Sequence, residues 1–478
     1  MSKYDYDMII IGAGAAGLTV AAGAAQLGAK TALIEKDRLG GDCLYYGCVP
    51  SKTLIKTAKV YHYAKNLKAF GLPGIEVPPC DLGSVMGHVR KVIDQVAVHD
   101  SVERFQGLGV DVIFGSPEFV SDQEVQINGK TLSGGRFTIA TGSSPTVFPI
   151  EGLQQTGFIT NVEVFSLQEL PHRLVVLGAG PIGSELAHAF SRLGSKVTLI
   201  DLSDTPLSFE DQDMAEVVVK QMVNDGISLR MRSKAKRAYQ EGTEKVLLIE
   251  DKDGNEEAIQ CDEILAATGR KPNVEGLSLE AAGVNYTKKG IDTDDHMQTS
   301  RKHIYAAGDV NGKFPFTHVA GAEGSLIVRN AIMHIPGKIK YNMTPWVTFT
   351  DPEIASVGYN ERRAKQEYIE YDIHVETYEE VDRALAESEY QGKIKILTEA
   401  GSDKIIGVQI VGLHAGELIG SSILALNKGM KLSDLATPIF AYPTLSEIHK
   451  KSAGKYYAQK IFSSKVKRIL RFIFGYQG

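Results

Sequence analysis

DYDMIIIGAGAAGLTVAAGAAQLGAKTALIEK, at residues 5–36, decides the fold of this chain. A short apolar strand leads into three spaced glycines, an Ala-rich helix and a second strand that ends at an acid. Gly12 permits a tight turn, Gly14 lets the backbone approach a pyrophosphate, and Gly17 lets the helix pack closely on the strand. The helix N-terminus faces the phosphates, and Glu35 accepts hydrogen bonds from a ribose. A glycine triplet alone is often only a turn, but all these parts together predict a dinucleotide-binding unit.

The same unit recurs at residues 173–203, RLVVLGAGPIGSELAHAFSRLGSKVTLIDLS. Its corresponding residues are Gly178, Gly180, Gly183 and the terminal acid Asp201. Each unit is followed by an apolar strand that ends in Ala-Thr-Gly, at residues 140–142 and again at residues 267–269. The repeat predicts an α/β protein with two Rossmann-like dinucleotide-binding domains. Two such domains in one chain can bring two dinucleotides face to face for hydride transfer.

A cysteine pair follows the first unit, in GGDCLYYGCVPSK at residues 40–52. Cys43 and Cys48 are separated by four residues, and a helical pattern begins near Pro50, a residue that suits a first helical turn. A thiolate at a helix N-terminus is stabilised by the helix dipole, and Lys52 adds positive charge one turn on. The segment therefore predicts a redox-active pair.

Two other interpretations of this pair are two buried thiols and half of a zinc site. Zinc needs two further Cys or His ligands at suitable spacing. The other cysteines, Cys80 and Cys261, stand alone in the sequence. We therefore predict no metal site and treat Cys80 and Cys261 as bystanders.

The composition is that of an ordinary globular protein of 478 residues, with 43% hydrophobic and 23% charged residues and room for about three domains. The net charge of −6 argues against nucleic acid as a partner for the body of the protein. The start of the chain lacks the features of a signal peptide, and no apolar run is long enough to span a membrane. Four cysteines are too few for a disulfide-stapled secreted domain, so we expect a cytoplasmic protein.

The two glycine-rich units and GGDCLYYGCVPSK together resemble the pyridine nucleotide-disulfide oxidoreductase family, from about Tyr6 to about Gln459. That family includes dihydrolipoamide dehydrogenase, glutathione reductase and mercuric reductase. The resemblance implies FAD in the first domain and a nicotinamide dinucleotide in the second. It also implies that Cys48 lies against the flavin and that Cys43 exchanges with the substrate.

The resemblance assigns further residues. It implies that Lys52 pairs with Glu185 beside the flavin, that Asp309 of YAAGDV binds the ribityl chain, and that His318 of FTHVAGAEG lies near the flavin pyrimidine. Read without the resemblance, Asp309 is a turn residue and His318 a helix cap. The residues expected to hold the two cofactors are Gly12, Gly14, Gly17, Glu35, Lys36, Gly41, Asp42, Lys52, Thr141, Gly142, Gly178, Gly180, Gly183, Asp201, Gly269, Asp309 and His318.

The family order implies the domain organisation. We expect an FAD-binding domain with a first part at 1–150 and a second part at 275–344, an NAD-binding domain at 151–274, an α+β dimerisation domain at 345–464 and a tail at 465–478. Alternating segments such as GKIKILTE and KIIGVQIVG, in the last third of the chain, predict antiparallel strands with one wet face. The resemblance implies a homodimer.

NADH is favoured over NADPH on grounds of charge. Asp201 accepts a hydrogen bond from a free ribose hydroxyl and repels a 2′-phosphate. Residues 201–213 contain no Arg or Lys, and acids recur at Asp204, Glu210, Asp211 and Asp213.

One position departs from the disulfide reductases of the family. Their dimerisation domain ends in a His-Pro-Thr motif followed by a Glu, and the His serves as acid and base for the exchange thiol. Here AYPTLSE puts Tyr442 at the His position and keeps Glu447. A phenol is protonated at neutral pH and cannot collect a proton as imidazole does. His449 is a conceivable substitute, although we expect it to be an isolated surface residue on the final helix.

The electron acceptor stays open at this stage. Tyr442 and the stretch VTFTDPEIASVGY resemble mercuric reductase, but that enzyme ends in a vicinal cysteine pair and this sequence has no cysteine after Cys261. We expect an NADH oxidoreductase that passes electrons to a small or protein disulfide, a metal ion or a quinone. The alternatives are a dihydrolipoamide dehydrogenase, and a redox-inert FAD-binding scaffold, which the intact cysteine pair argues against.

The tail, residues 465–478, predicts a basic amphipathic helix. Its apolar face holds Val466, Ile469, Leu470 and Ile473, with Phe472 and Phe474 at the margins, and its cations are Lys465, Lys467, Arg468 and Arg471. Such a helix suits the surface of an anionic membrane. Packing on the protein's own dimer is the alternative, so peripheral membrane contact stays a hypothesis.

Overall fold

A computed structural model describes residues 3–477 as three packed units of helix and sheet. The strands are β1 Met8–Ile11, β2 Thr31–Glu35, β3 Val110–Phe114, β4 Glu118–Ser121, β5 Glu124–Ile127, β6 Lys130–Ser133, β7 Phe137–Ile139, β8 Ser143–Pro145, β9 Arg173–Leu177, β10 Lys196–Ile200, β11 Ser228–Arg230, β12 Ser233–Glu241, β13 Glu244–Asp251, β14 Glu256–Cys261, β15 Glu263–Ala266, β16 Arg270–Pro272, β17 Tyr286–Thr287, β18 Gly290–Ile291, β19 Ile304–Ala306, β20 Pro345–Thr348, β21 Glu353–Gly358, β22 Tyr371–Thr377, β23 Lys393–Glu399 and β24 Ile405–Gly412. The α-helices are α1 Ala15–Gln26, α2 Gly41–Tyr45, α3 Cys48–Lys65, α4 Leu82–Ala97, α5 Val102–Gly107, α6 Leu153–Thr156, α7 Pro181–Leu193, α8 Gln212–Asn224, α9 Thr317–Ile327, α10 Glu361–Gln366, α11 Asp382–Ala386, α12 Ala415–Asn427, α13 Leu432–Ala436, α14 Glu447–Ile461 and α15 Ser464–Phe474.

The first unit is a parallel sheet in the order β19-β7-β1-β2-β3. In β1 every residue is buried, as expected for a central strand covered on both faces. Helix α1 packs against α9, and the two backbones approach closely: a Cβ added at Gly324 would lie 2.8 Å from the carbonyl oxygen of Ala16. Because β19 and α9 come late in the chain, the chain returns to the first unit after it has built the second.

The second unit repeats this plan, with parallel strands in the order β11-β10-β9-β15. Strand β9 pairs with β10 as β1 pairs with β2, and helix α7 follows β9 as α1 follows β1. An antiparallel sheet, β12-β13-β14, is attached to this unit. The predicted α/β class with two Rossmann-like units is confirmed.

The third unit is an antiparallel sheet in the order β20-β21-β24-β23-β22. The predicted antiparallel strands are present, but the predicted wet face is wrong, because β23 and β24 are buried on both faces. Helix α12 covers one side of the sheet and α8 of the second unit packs on the other. Gln409, a polar residue of β24, is completely buried.

Lys395 of β23 is a buried cation whose charge is neutralised by neighbouring acids. Its side chain is 2% exposed, and its ammonium group is paired with Asp211, Asp213 and Glu361. These three acids form a group whose geometry would suit a metal ion. The lysine ammonium already supplies their counter-charge, and the cluster joins the second unit to the third.

No helix within residues 3–477 combines the length and the apolar composition needed to cross a membrane.

Candidate active site

The two cysteines lie on adjacent short elements. Cys48 is the first residue of α3, directly after Gly47, and Cys43 lies in α2. Cys48 Sγ is 3.6 Å from the hydroxyl of Thr317, at the start of α9. Helices from two distant parts of the chain therefore meet at the thiols.

The two thiols have opposite proton affinities. The pKa of Cys48 is lowered to about 6, chiefly by a hydrogen bond with Cys43, with further contributions from Thr317 and the charge of Lys52. The pKa of Cys43 is raised, by the same hydrogen bond to Cys48 and by burial. Both shifts favour a proton on Cys43 and a thiolate at Cys48.

An ion pair lies one turn further along α3. Lys52 Nζ is 2.7 Å from Glu185 Oε2, and the carboxylate of Glu185 is 6% exposed. The other oxygen of Glu185 accepts a hydrogen bond from the backbone N–H of Phe349 at 2.8 Å, and the Phe349 ring lies 4.6 Å from Lys52 Nζ. The pair is thus fixed by three units of the chain.

The first glycine-rich turn is shaped for a phosphate group. A Cβ at Gly17 would lie 1.8 Å from the carbonyl oxygen of Gly12, so helix and turn can pack only around glycine. A Cβ at Gly14 would meet no protein atom within 4 Å, which leaves the space above the N-terminus of α1 open to a ligand. Glu35 Oε2 accepts from the N–H of Ala13 at 2.7 Å and is held at the rim of the turn. These residues fit a dinucleotide.

The second turn repeats these distances. A Cβ at Gly183 would lie 1.8 Å from the carbonyl oxygen of Gly178, and Gly180 has open space. Asp201 accepts from the N–H of Ala179 at 2.6 Å, as Glu35 does in the first unit. The second turn therefore also fits a dinucleotide.

Asp42 and Asp309 are joined by a residue that the sequence analysis missed. Arg270 lies 3.2 Å from Asp42 and 3.9 Å from Asp309, and Asp309 accepts from the hydroxyl of Ser143 at 2.6 Å. The buried Glu323, also missed, accepts from the N–H of Gly308 at 2.6 Å and so fixes the loop that carries Asp309. The sequence signal that points to Arg270 is its place directly after the second Ala-Thr-Gly.

The Ala-Thr-Gly segments lie where the first two units meet. Thr141 donates from its hydroxyl to the carbonyl of Asn273 at 2.7 Å, and Gly142 accepts from the N–H of Asn273 at 2.9 Å. Gly269 accepts from the N–H of Thr146 at 3.0 Å. Both segments therefore brace the crossing between units.

The remaining predicted cofactor-binding residues are Gly41, Lys36 and His318. Gly41 has a φ of 63°, and a Cβ there would lie 2.8 Å from the Cα of Gly14. Lys36 is exposed beyond Glu35. His318 is exposed at the start of α9, where its Nε2 lies 2.8 Å from the carbonyl oxygen of Pro345.

Comparison with known proteins decides the family. The pattern described as pyridine nucleotide-disulphide oxidoreductase matches residues 6–324, and the pattern of that family's dimerisation domain matches residues 344–453. The chain belongs to the pyridine nucleotide-disulphide oxidoreductase family. It is a flavoprotein disulfide oxidoreductase, and this family implies binding of FAD and a pyridine nucleotide. The dimerisation domain supports a homodimer.

Proteins similar to this chain include mercuric reductases, dihydrolipoyl dehydrogenases and a flavoprotein disulfide reductase of known structure. The chain is 37% identical over 446 residues to a mercuric reductase of Bacillus cereus, covering 93% of this chain and 70% of that protein. It is 35% identical over 455 residues to a dihydrolipoyl dehydrogenase of Bacillus subtilis, covering 92% and 96%. The HOCl-induced flavoprotein disulfide reductase RclA from Escherichia coli has a TM-score of 0.83 at 25% identity, covering 94% and 99%. A Cu(II) complex of an RclA mutant has a TM-score of 0.84 at 25% identity, covering 95% and 99%.

The family's acid-base position holds Tyr442 in this chain. Its side chain is exposed, and its hydroxyl donates to Asp382 at 2.9 Å, which raises the pKa of Tyr442 above its ordinary value. Glu447 accepts from the N–H of Thr444 at 3.5 Å. Within the described part of one protomer, neither Tyr442 nor Glu447 hydrogen-bonds to the cysteines.

His449 is not the surface residue that we expected. It is completely buried, its Nε2 lies 3.1 Å from the hydroxyl of Ser422 on α12, and burial lowers its pKa. The reason is that α14 packs its His449 side against the third sheet and α12. His449 is therefore a core residue, unsuited to collecting a proton from Cys43.

Proposed function

We propose that this protein is an NADH oxidoreductase that passes electrons through the Cys43 and Cys48 pair to an acceptor other than lipoamide. The observation that carries the proposal is the exposed Tyr442, hydrogen-bonded to Asp382, at the position where the family's disulfide reductases have their acid-base His. We further propose that it works in the cytoplasm, where thiols are kept reduced.

The roles of the residues follow from their positions. Bound FAD supplies the two-electron chemistry that links nicotinamide to dithiol. Cys48, favoured as thiolate by Cys43, Thr317 and Lys52, would be the sulfur that receives electrons from bound flavin, and Cys43 would be the sulfur that passes them to the acceptor. Glu185 keeps the Lys52 ammonium in place. When the dithiol becomes a disulfide, two electrons leave for the acceptor, and the Cys43 proton must be taken up.

That proton is the reason for doubting an ordinary disulfide substrate. Cys43 becomes an attacking thiolate only after losing a proton, and its pKa is raised. Tyr442 remains protonated and His449 is buried, so neither is suited to act as the base. Loss of a positioned base costs about 10² to 10⁴ in rate. A thiophilic metal ion displaces thiol protons itself, and the names of the mercuric reductases and of the RclA Cu(II) complex favour this class. A quinone remains in the acceptor set.

NADH preference rests on the second turn. The Asp201 carboxylate accepts from the N–H groups of Ala179 and Ser203, which fixes its charge at the end of β10, the position at which an acid in this type of unit meets the ribose of a dinucleotide. Two cations outside residues 201–213 come close in the fold, Arg230 and Arg232. Each is already paired with an acid, Glu257 and Asp204 respectively.

Dihydrolipoamide dehydrogenase is the second candidate, favoured by the 35% identity to the Bacillus subtilis enzyme. Steady-state NADH oxidation with lipoamide, glutathione disulfide, Cu(II), Hg(II) and quinones separates the two functions. We expect a metal ion or quinone to exceed lipoamide by at least about tenfold. Cys43→Ser is the matched control. If electrons reach the preferred acceptor through the cysteine pair, this variant must lose turnover of that acceptor. Lipoamide as the best acceptor contradicts the proposal.

A further inference from the structure

The C-terminal end of the chain has a strong charge asymmetry. After Glu447 the sequence contains no acidic residue, whereas the final 31 residues contain eight Lys and Arg residues. The whole chain has a net charge of −6, so the remainder of the protein is acidic. Because the rest of the protein is acidic, the cationic C-terminal segment is the part that an anionic surface attracts.

The last helix presents an uncovered apolar face. Helix α15 is separated from α14 by a break at Ser463, whose hydroxyl accepts from the N–H of Val466 at 3.5 Å. None of the residues of α15 is buried. Ile473 is 60% exposed and Phe472 is 91% exposed. Most of the apolar side is therefore uncovered by the body of its own protomer.

The cations surround this apolar face in the manner of an interfacial helix. Lys465, Lys467, Arg468 and Arg471 occupy the other side of α15. Lysine is depleted in protein interface cores, whereas a cationic side beside an apolar and aromatic side suits the headgroup boundary of a bilayer. The matched dimerisation pattern ends at residue 453, before α15 begins. Charge and apolar exposure together thus favour a lipid surface over a second copy of the chain.

We propose that α15 docks this protein on membranes rich in anionic phospholipid. The apolar side lies in the boundary between headgroups and acyl chains, and the cations contact the lipid phosphates. With eleven residues the helix lies on the membrane and does not span it. The docking is independent of which acceptor the cysteine pair serves.

Vesicle co-sedimentation of the FAD-loaded full chain tests the proposal. We expect binding to vesicles of phosphatidylcholine mixed with phosphatidylglycerol to exceed binding to phosphatidylcholine alone by at least about tenfold, and to weaken with added salt. Phe472→Ser/Ile473→Ser and Lys467→Gln/Arg468→Gln should each lower binding to the mixed vesicles by at least about tenfold. Tyr368→Ser, at a 94% exposed site elsewhere, is the matched control and should not change it.

Three outcomes overturn the proposal. The first is absence of sedimentation, and the second is equal sedimentation of the wild type and both tail variants. The third is strong hydrogen-exchange protection of residues 464–474 in the vesicle-free dimer, which would mean that the helix docks on protein. Reduction by NADH should be unchanged in all variants, which verifies that each is folded.

Discussion

The proton held between Cys43 and Cys48 can be tested by removing its donor. The Cys43 thiol is the largest cause of the low pKa of Cys48, about 6 against an ordinary value of 9.0. A thiol with a pKa of about 6 is roughly 90% thiolate at pH 7, whereas one with a pKa of about 9 is roughly 1% thiolate. Cys43→Ala removes the donor, so we expect the pKa of Cys48 to rise by at least about one unit, equivalent to ~1.4 kcal/mol.

Cys43→Ser is the matched variant, because it keeps a hydroxyl donor at the same position. We expect its shift to be smaller than that of the alanine variant. Thr317→Val removes the second donor and should raise the pKa of Cys48 in the same direction, since Thr317 also lowers it. The order of the three pKa values therefore tests the contribution of each hydrogen bond.

The assay is the rate of iodoacetamide alkylation of Cys48 against pH in the reduced protein. Only the thiolate reacts, so the midpoint of the rate profile reports the pKa. Peptide mass spectrometry with fragment ions separates Cys48 from Cys43 and from the bystander Cys80. If Cys48 has the same pKa in the alanine variant, the serine variant and the wild type, within a few tenths of a unit, the idea of a proton shared by the two cysteines is refuted.

Three further outcomes are expected. Tyr442→His should raise lipoamide turnover by about tenfold or more, since Glu447 is already present to orient the ring. The rate of reduction by NADH, measured by rapid mixing, should be unchanged. A fall in lipoamide turnover would show that Tyr442 does not limit that reaction. The kcat/KM for NADH should exceed that for NADPH by at least about tenfold, because a phosphate against Asp201 costs more than ~1.4 kcal/mol, and equal values would remove the charge argument. Gly17→Ala should lower the stability of the apoprotein by about 3 kcal/mol or more in thermal unfolding, because its Cβ would collide with the backbone. Gly14→Ala should leave the Tm of the apoprotein unchanged and weaken FAD binding. Equal effects of the two substitutions would contradict the different spaces around the two glycines.

The parts of the fold that sequence predicts well are those with local signals. The glycine spacing of the two turns depends on contacts within a few residues, such as Gly17 against Gly12, so it is visible in the chain itself. Cys48 at a helix start is equally local, since Pro50 marks the first turn. Two nucleotide units and a reactive cysteine pair therefore follow from short stretches.

The parts that escaped prediction depend on distant segments. Thr317 and the ring of Phe349 reach the cysteine helix, at Cys48 and Lys52, only because the chain folds back on itself. The exposed or buried state of Lys395 depends on whether α8 of another unit covers the sheet, which alternation within β23 cannot reveal. The burial of His449 likewise depends on a separate segment, since its side chain packs against Ser422 of α12. An amphipathic pattern identifies one buried face and does not show what covers the other.

Electron counting tests the central claim most directly. Anaerobic titration of the FAD-loaded protein with dithionite measures how many electrons each FAD-containing protomer accepts. A redox-active Cys43 and Cys48 pair beside the flavin predicts uptake of about four electrons per FAD, and Cys43→Ser should reduce this to about two. Uptake of two electrons by the wild type would contradict the account, because the cysteines would then take no part in electron transfer.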